Sequence, residues 1–339
     1  MNAPNQSVHS VAIQVFCSIE QEKLEALATM MNELIPLVPI PNAEHFQGVI
    51  VVPDEQRELV INDLLKEYDE SAGAYVSGTE ARACAMPMEV PTDDGKVLAC
   101  LIFLAESLVQ EINPMHYHSG DLISTLLEEL CHVRHYSITW QQRGYIHSYE
   151  ADICKKDLLT MCSNFQDEYV AIRWKSSLMA SIPLVEISDG NKSVVHLRYG
   201  TPVASLLDQA SSELSQISLD AADKKLSIDD AWSKLLQTVY RKIFEPLARN
   251  EAFLAVIPAN EDIPSQSASD SLFYQQFVEP YWEKTKTQLE RSFNNDLEEQ
   301  EIALNEMAGI LDDFVRGLGV THSKTSGGDY YIEIGVVPS

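Results

Sequence analysis

The strongest constraint on this chain's fold is a helix whose residues divide cleanly between an apolar and a polar side. Over Asp121–Tyr136, at about 100° per residue, Leu122, Ile123, Leu126, Leu130 and Val133 share one side. Asp121, Thr125, Glu128, His132 and His135 line the other. Such a helix must bury its apolar stripe against a second layer, and the sequence offers one just upstream. Lys96–Leu104 is a strongly apolar strand, and Ala83–Val90 is another, joined to it through the turn Pro91-Thr92-Asp93-Asp94-Gly95. Gly48–Val52 is a further short strand, stopped by Pro53. Together these elements predict an α+β fold in which a small mixed sheet packs on the helix.

Other segments fill in the organisation. Ile19, Leu24, Leu27, Met30, Met31 and Leu34 recur at helical spacing over 18–35, with Ser18 and Gln21 placed for a capping box. Asp54 is placed to cap a helix containing Leu59, Ile61, Leu64 and Leu65. Asn164–Ala180 is another helix, with Phe165, Tyr169, Ile172 and Leu178 apolar. An N-terminal α+β region is thus expected over 1–180, its core at about 40–180. From 181 onward a mostly helical region is expected. It opens with a hairpin, Leu184–Ile187 and Val194–Tyr199, and continues with helices at about 202–217 and 228–247. Pro258–Ser271 reads as a linker. Beyond it Trp282, Leu289, Phe293, Leu297, Leu304, Met307, Leu311, Phe314 and Leu318 fit one long amphipathic helix over about 272–318. A last strand, Tyr330–Val337, follows.

Charge narrows the function classes. Against 24 Lys and Arg stand 51 Asp and Glu, a formal charge of −27, which argues against nucleic acid and against an anionic membrane surface. No run approaches the roughly eighteen apolar residues of a membrane helix, and the N-terminus lacks a secretory pattern. The six cysteines form no C-x-x-C pair and read as reduced thiols, so a cytoplasmic protein is expected. The acidic face of the long helix, with Glu298, Glu299, Glu301 and Glu306, reads mainly as solvation; a protein partner there is the alternative.

The chemistry sits in Glu128-Glu129-Leu130-Cys131-His132. It is H-E-x-x-H, the metal-binding helix of zinc peptidases, with one letter changed. In that motif two histidines at i and i+4 hold the ion and the intervening Glu is the general base. Here Glu128 stands where the first His would be. It lies one helical turn from His132, close enough to share an ion. A solvated surface helix would show the same polar stripe, so spacing leaves both readings open. Cys131 reads as structural rather than nucleophilic.

The order of elements adds weight: an apolar strand, the motif helix, then a helix carrying Asp167-Glu168. This arrangement resembles the zincin metallopeptidases of the Glu-ligand type, most closely the ImmA/IrrE-like group, over roughly residues 80–180. The resemblance implies a zincin-like core, His132 as a metal ligand, Glu129 as general base and Glu168 as third ligand, with Asp167 as its rival. Glu128 takes the place of the missing ligand, and His135 could ligate instead or support it from behind. It also implies zinc and a protein or peptide substrate. A Glu/His/Glu set is oxygen-rich and carries one more negative charge, which makes Mn²⁺ or Fe²⁺ alternatives to Zn²⁺ and lowers the ion's Lewis acidity.

Two alternatives stand beside the peptidase reading. One is a zincin-like scaffold without catalysis, acting as a protein-interaction module. The other is an iron-binding carboxylate/His protein, since Glu129-x-x-His132 is also the E-x-x-H of di-iron bundles, although no second E-x-x-H occurs in the chain. His116, His118, Tyr145, His147, Tyr149 and Arg173 are lesser candidates for lining the site or stabilising an oxyanion.

Overall fold

A run of eight buried residues, Leu98–Ala105, belongs to a strand covered on both faces. In the computed structural model, which describes residues 11–68, 82–113, 120–145, 153–181, 203–256, 268–294, 297–324 and 330–335, it is central to a four-stranded sheet. The chain forms two compact units, one of residues 1–146 and 174–195 and the other of 147–173 and 196–339.

The first unit begins with β1 (Ile13–Val15), α1 (Gln21–Leu34), β2 (Phe46–Val52) and α2 (Arg57–Tyr68). It continues with the hairpin β3 (Ala83–Thr92) and β4 (Gly95–Ala105), then α3 (Glu106–Gln110) and α4 (Gly120–Arg143). The sheet order is β1-β2-β4-β3. The first three strands are parallel, with Ile13 opposite Val49 and Val49 opposite Ile102; β3 is antiparallel to β4, with Ala85 opposite Ile102. Alternation divides the sheet's side chains between two faces. Ile50, Val52, Leu101 and Phe103 meet Ile61 and Leu65 of α2 in one core. Val49, Val51, Ile102 and Leu104 point the other way and are also buried, while α4 packs along β3 and β4. At Gly48 the backbone has φ +142°, and an added Cβ would lie 2.5 Å from the carbonyl oxygen of Ala12, so β1 can approach only a glycine.

Helix α5 (Ile153–Ser181) is continuous, with residues up to 173 in the second unit and those from 174 in the first. The second unit adds α6 (Val203–Ala222), α7 (Ile228–Val239), α8 (Glu245–Leu254), α9 (Glu279–Asn294), α10 (Leu297–Gly317) and the hairpin β5 (Val320–Lys324) with β6 (Tyr330–Ile334). Ser227 caps α7, its hydroxyl accepting the Asp230 N–H at 3.1 Å. A π-helical turn, Tyr240–Phe244, joins α7 to α8, and another, Tyr274–Val278, leads into α9. Phe244 stacks on Phe165 of α5 and meets Phe314 of α10 edge-on, ring centroids 5.8 and 5.4 Å apart.

Several expectations change here. The single helix over about 272–318 is two helices packed on each other. Arg291 reaches both Glu299 (2.5 Å) and Glu306 (3.3 Å). In a straight helix the second pair would be about 22 Å apart, so the chain must turn back. No side chain caps α1, whose N-cap is Glu20 rather than Ser18. Asp54 opens a short 3₁₀ turn ahead of α2 and accepts the Ser107 N–H. The expected hairpin over 184–199 lies outside the described residues. Among the described residues no helix is long and apolar enough to cross a membrane.

Candidate metal centre

Helix α4 decides between a solvated polar stripe and a site. Leu126, Leu127, Leu130, Cys131 and Val133 are fully buried, and Glu129 and His132 are buried with them, at 7% and 5% exposure. A stripe facing water would leave the carboxylate and imidazole wet. Buried polar groups need partners, because their desolvation otherwise costs several kcal/mol. The helix therefore carries an internal polar cluster over this turn.

Glu128 is the nearest of that cluster to solvent, with its side chain 13% exposed, and its carboxylate meets the Lys175 ammonium at 2.5 Å. Lys175, on α5, is itself 1% exposed. Two turns earlier on α5, Glu168 is ion-paired with Arg249 of α8, both side chains 19% exposed. Glu128, His132 and Glu168 each offer one ligand atom, and those three atoms all lie within 4.8 Å of one another. The donor chemistry fits: two carboxylates and one imidazole suit a hard to borderline divalent ion. The group could hold a metal ion.

The other candidates fall outside that trio. Glu129 is buried one position along and is not in the group. Asp167, the rival of Glu168, is buried but is not in the group. His135 is not in it either; its ring meets Trp174 edge-on at 6.1 Å, and the Arg134 guanidinium lies 4.0 Å over the same indole. Arg173 donates to both oxygens of Glu290 at 2.8 Å and lies over the Phe293 ring. Burial, outweighing the nearby cations, pushes the Cys131 thiol up to about 12, so it is an inert thiol inside the motif. His116, His118, His147 and Tyr149 lie outside the described residues.

Lys175 and Arg249 were not singled out from the sequence. Lys175 had a signal, since it follows Glu168 by seven residues and so shares its helix face. Arg249 had none. It lies far along the chain, beyond a π-helical turn that shifts the helical register by one residue.

Comparison with protein-family models, with curated proteins and with solved structures gives no match.

Proposed function

We propose that Glu128, His132 and Glu168 hold a divalent metal ion and that the chain is a metal-dependent hydrolase acting on peptide bonds. The observation that carries this reading is the trio of ligand atoms within 4.8 Å of one another, with His132 and the adjacent Glu129 buried on α4. The antiparallel edge strand β3, alongside α4, supports a peptide substrate. An extended chain can pair with an exposed strand edge through its backbone. Zinc is the first choice of metal, and the two carboxylates keep manganese and iron open.

When bound, the ion supplies Lewis acidity toward a carbonyl oxygen and lowers the pKa of a water. The chain's own part falls to Glu129. Its carboxylate takes a proton from the attacking water and returns it to the departing amine nitrogen. Glu128 works against speed, because its charge in place of a neutral imidazole leaves the water less acidified.

Metal analysis of protein purified without chelator tests the assignment. Roughly one equivalent of a transition metal is expected, lost in Glu168→Ala. Less than about 0.2 equivalents, unchanged by that substitution, would sink the site. Glu129→Gln should keep the metal and abolish hydrolysis. A second reading, a scaffold that takes no metal, draws on the Lys175 and Arg249 pairs, which already neutralise both carboxylates.

A further inference from the structure

The ammonium of Lys175 lies on the one ligand that departs from H-E-x-x-H. With Glu128 bearing one negative charge and Glu168 another, Lys175 and Arg249 bring the group to neutrality without any ion. A lysine buried to 1% exposure is costly to hold without a counter-charge. A divalent ion entering beside it adds two positive charges next to two carboxylates that are each already ion-paired. Ion and ammonium would compete for the same oxygens of Glu128.

We infer that Lys175 is an internal competitor of the metal, so that the site loads by exchange: the ion displaces the Lys175 ammonium from Glu128, and the ammonium returns when the ion leaves. This rests on the metal reading above and specifies how that site is regulated. A histidine at position 128 would offer a neutral nitrogen that no lysine could neutralise. The Glu128–Lys175 pair instead makes an exchangeable centre, loaded when free metal is abundant and closed by its own ion pair otherwise. Arg249 has the same relation to Glu168, so its removal should act in the same direction.

The test is a titration of the metal-free full-length chain with Mn²⁺ and, separately, Zn²⁺, followed by calorimetry. Lys175→Met removes the competitor, and Lys175→Gln removes its charge while keeping a donor for Glu128 should the methionine variant fail to fold. Both substitutions should tighten binding at least about tenfold, given the strength of charge interactions in a partly desolvated site. They should also lower the melting temperature of the metal-free protein, with metal restoring it. If the unaltered chain binds metal and both variants bind it equally well, Lys175 does not compete, and the metal reading survives without this inference. If neither the unaltered chain nor any variant binds either ion, both fall and the scaffold reading takes their place.

Discussion

His45 and Ser137 show what burial does to a single titratable group. His45 is 7% exposed and its Nδ1 lies 2.8 Å from the hydroxyl of Ser137, which is wholly buried on α4. Burial lowers the imidazole's pKa below 6.5 against the weaker pull of Glu44. The folded state therefore holds His45 neutral, while the unfolded state takes up a proton as pH drops through about 6.5. Its contribution to stability is complete above that pH and is lost as pH falls toward the lowered folded value. The melting temperature should fall from pH 7 to about 5.5, and by less in His45→Asn. Equal falls in the two proteins would place the acid sensitivity elsewhere. At the same scale, Glu128→His combined with Lys175→Met, which leaves no buried ammonium unpaired, should raise metal affinity, a gain readable by calorimetry. Glu128 and His132 were legible in the sequence because helical spacing puts them one turn apart. Their burial was not, because a polar stripe on a helical wheel looks the same wet or dry.

Among the elements, those with long uninterrupted signals were legible. The apolar run ending β4, the Asp-Gly turn joining it to β3 and the periodicity of α4 each appear where they were read. β1, with three residues, has too short a run to show alternation, yet it forms an edge of the sheet. The pair α9 and α10 failed for a different reason. Both bury apolar faces that include Trp282, Leu289, Leu304, Met307 and Phe314, so the apolar period passes from one to the other without a visible break. Only Asn294-Asn295-Asp296 hinted at the reversal. Gly48 makes the weight of one strand contact measurable. Gly48→Ala must relieve both a φ of +142° and a 2.5 Å approach to the Ala12 carbonyl. It should destabilise the protein by about 2 kcal/mol or more, seen as a lower denaturation midpoint. A loss under roughly 0.5 kcal/mol would mean that β1 detaches at little cost.

For the whole molecule, composition bounded the class and the ordering of elements bounded the architecture, an α+β chain with a small mixed sheet. The course of α5 could not be read that way. A helix that begins in one unit and ends in the other carries a single apolar pattern, and nothing in that pattern marks residue 174. The net charge of −27 acts at this scale too. Ion pairs such as Lys242–Glu213 and Lys96–Glu89 are local and partly exposed, worth little individually. The surplus of carboxylates repels over distances longer than any pair. The Debye length falls from about 20 Å at roughly 20 mM salt to about 5 Å at roughly 300 mM, which screens that repulsion first. Buried pairs such as Lys175–Glu128 are screened far less. The melting temperature should therefore rise by about 3–8 °C between those salt concentrations, with sodium chloride and sodium fluoride acting alike. A decrease would show that favourable surface pairs outweigh the net repulsion. A rise seen with only one of the salts would point to a bound ion rather than to screening.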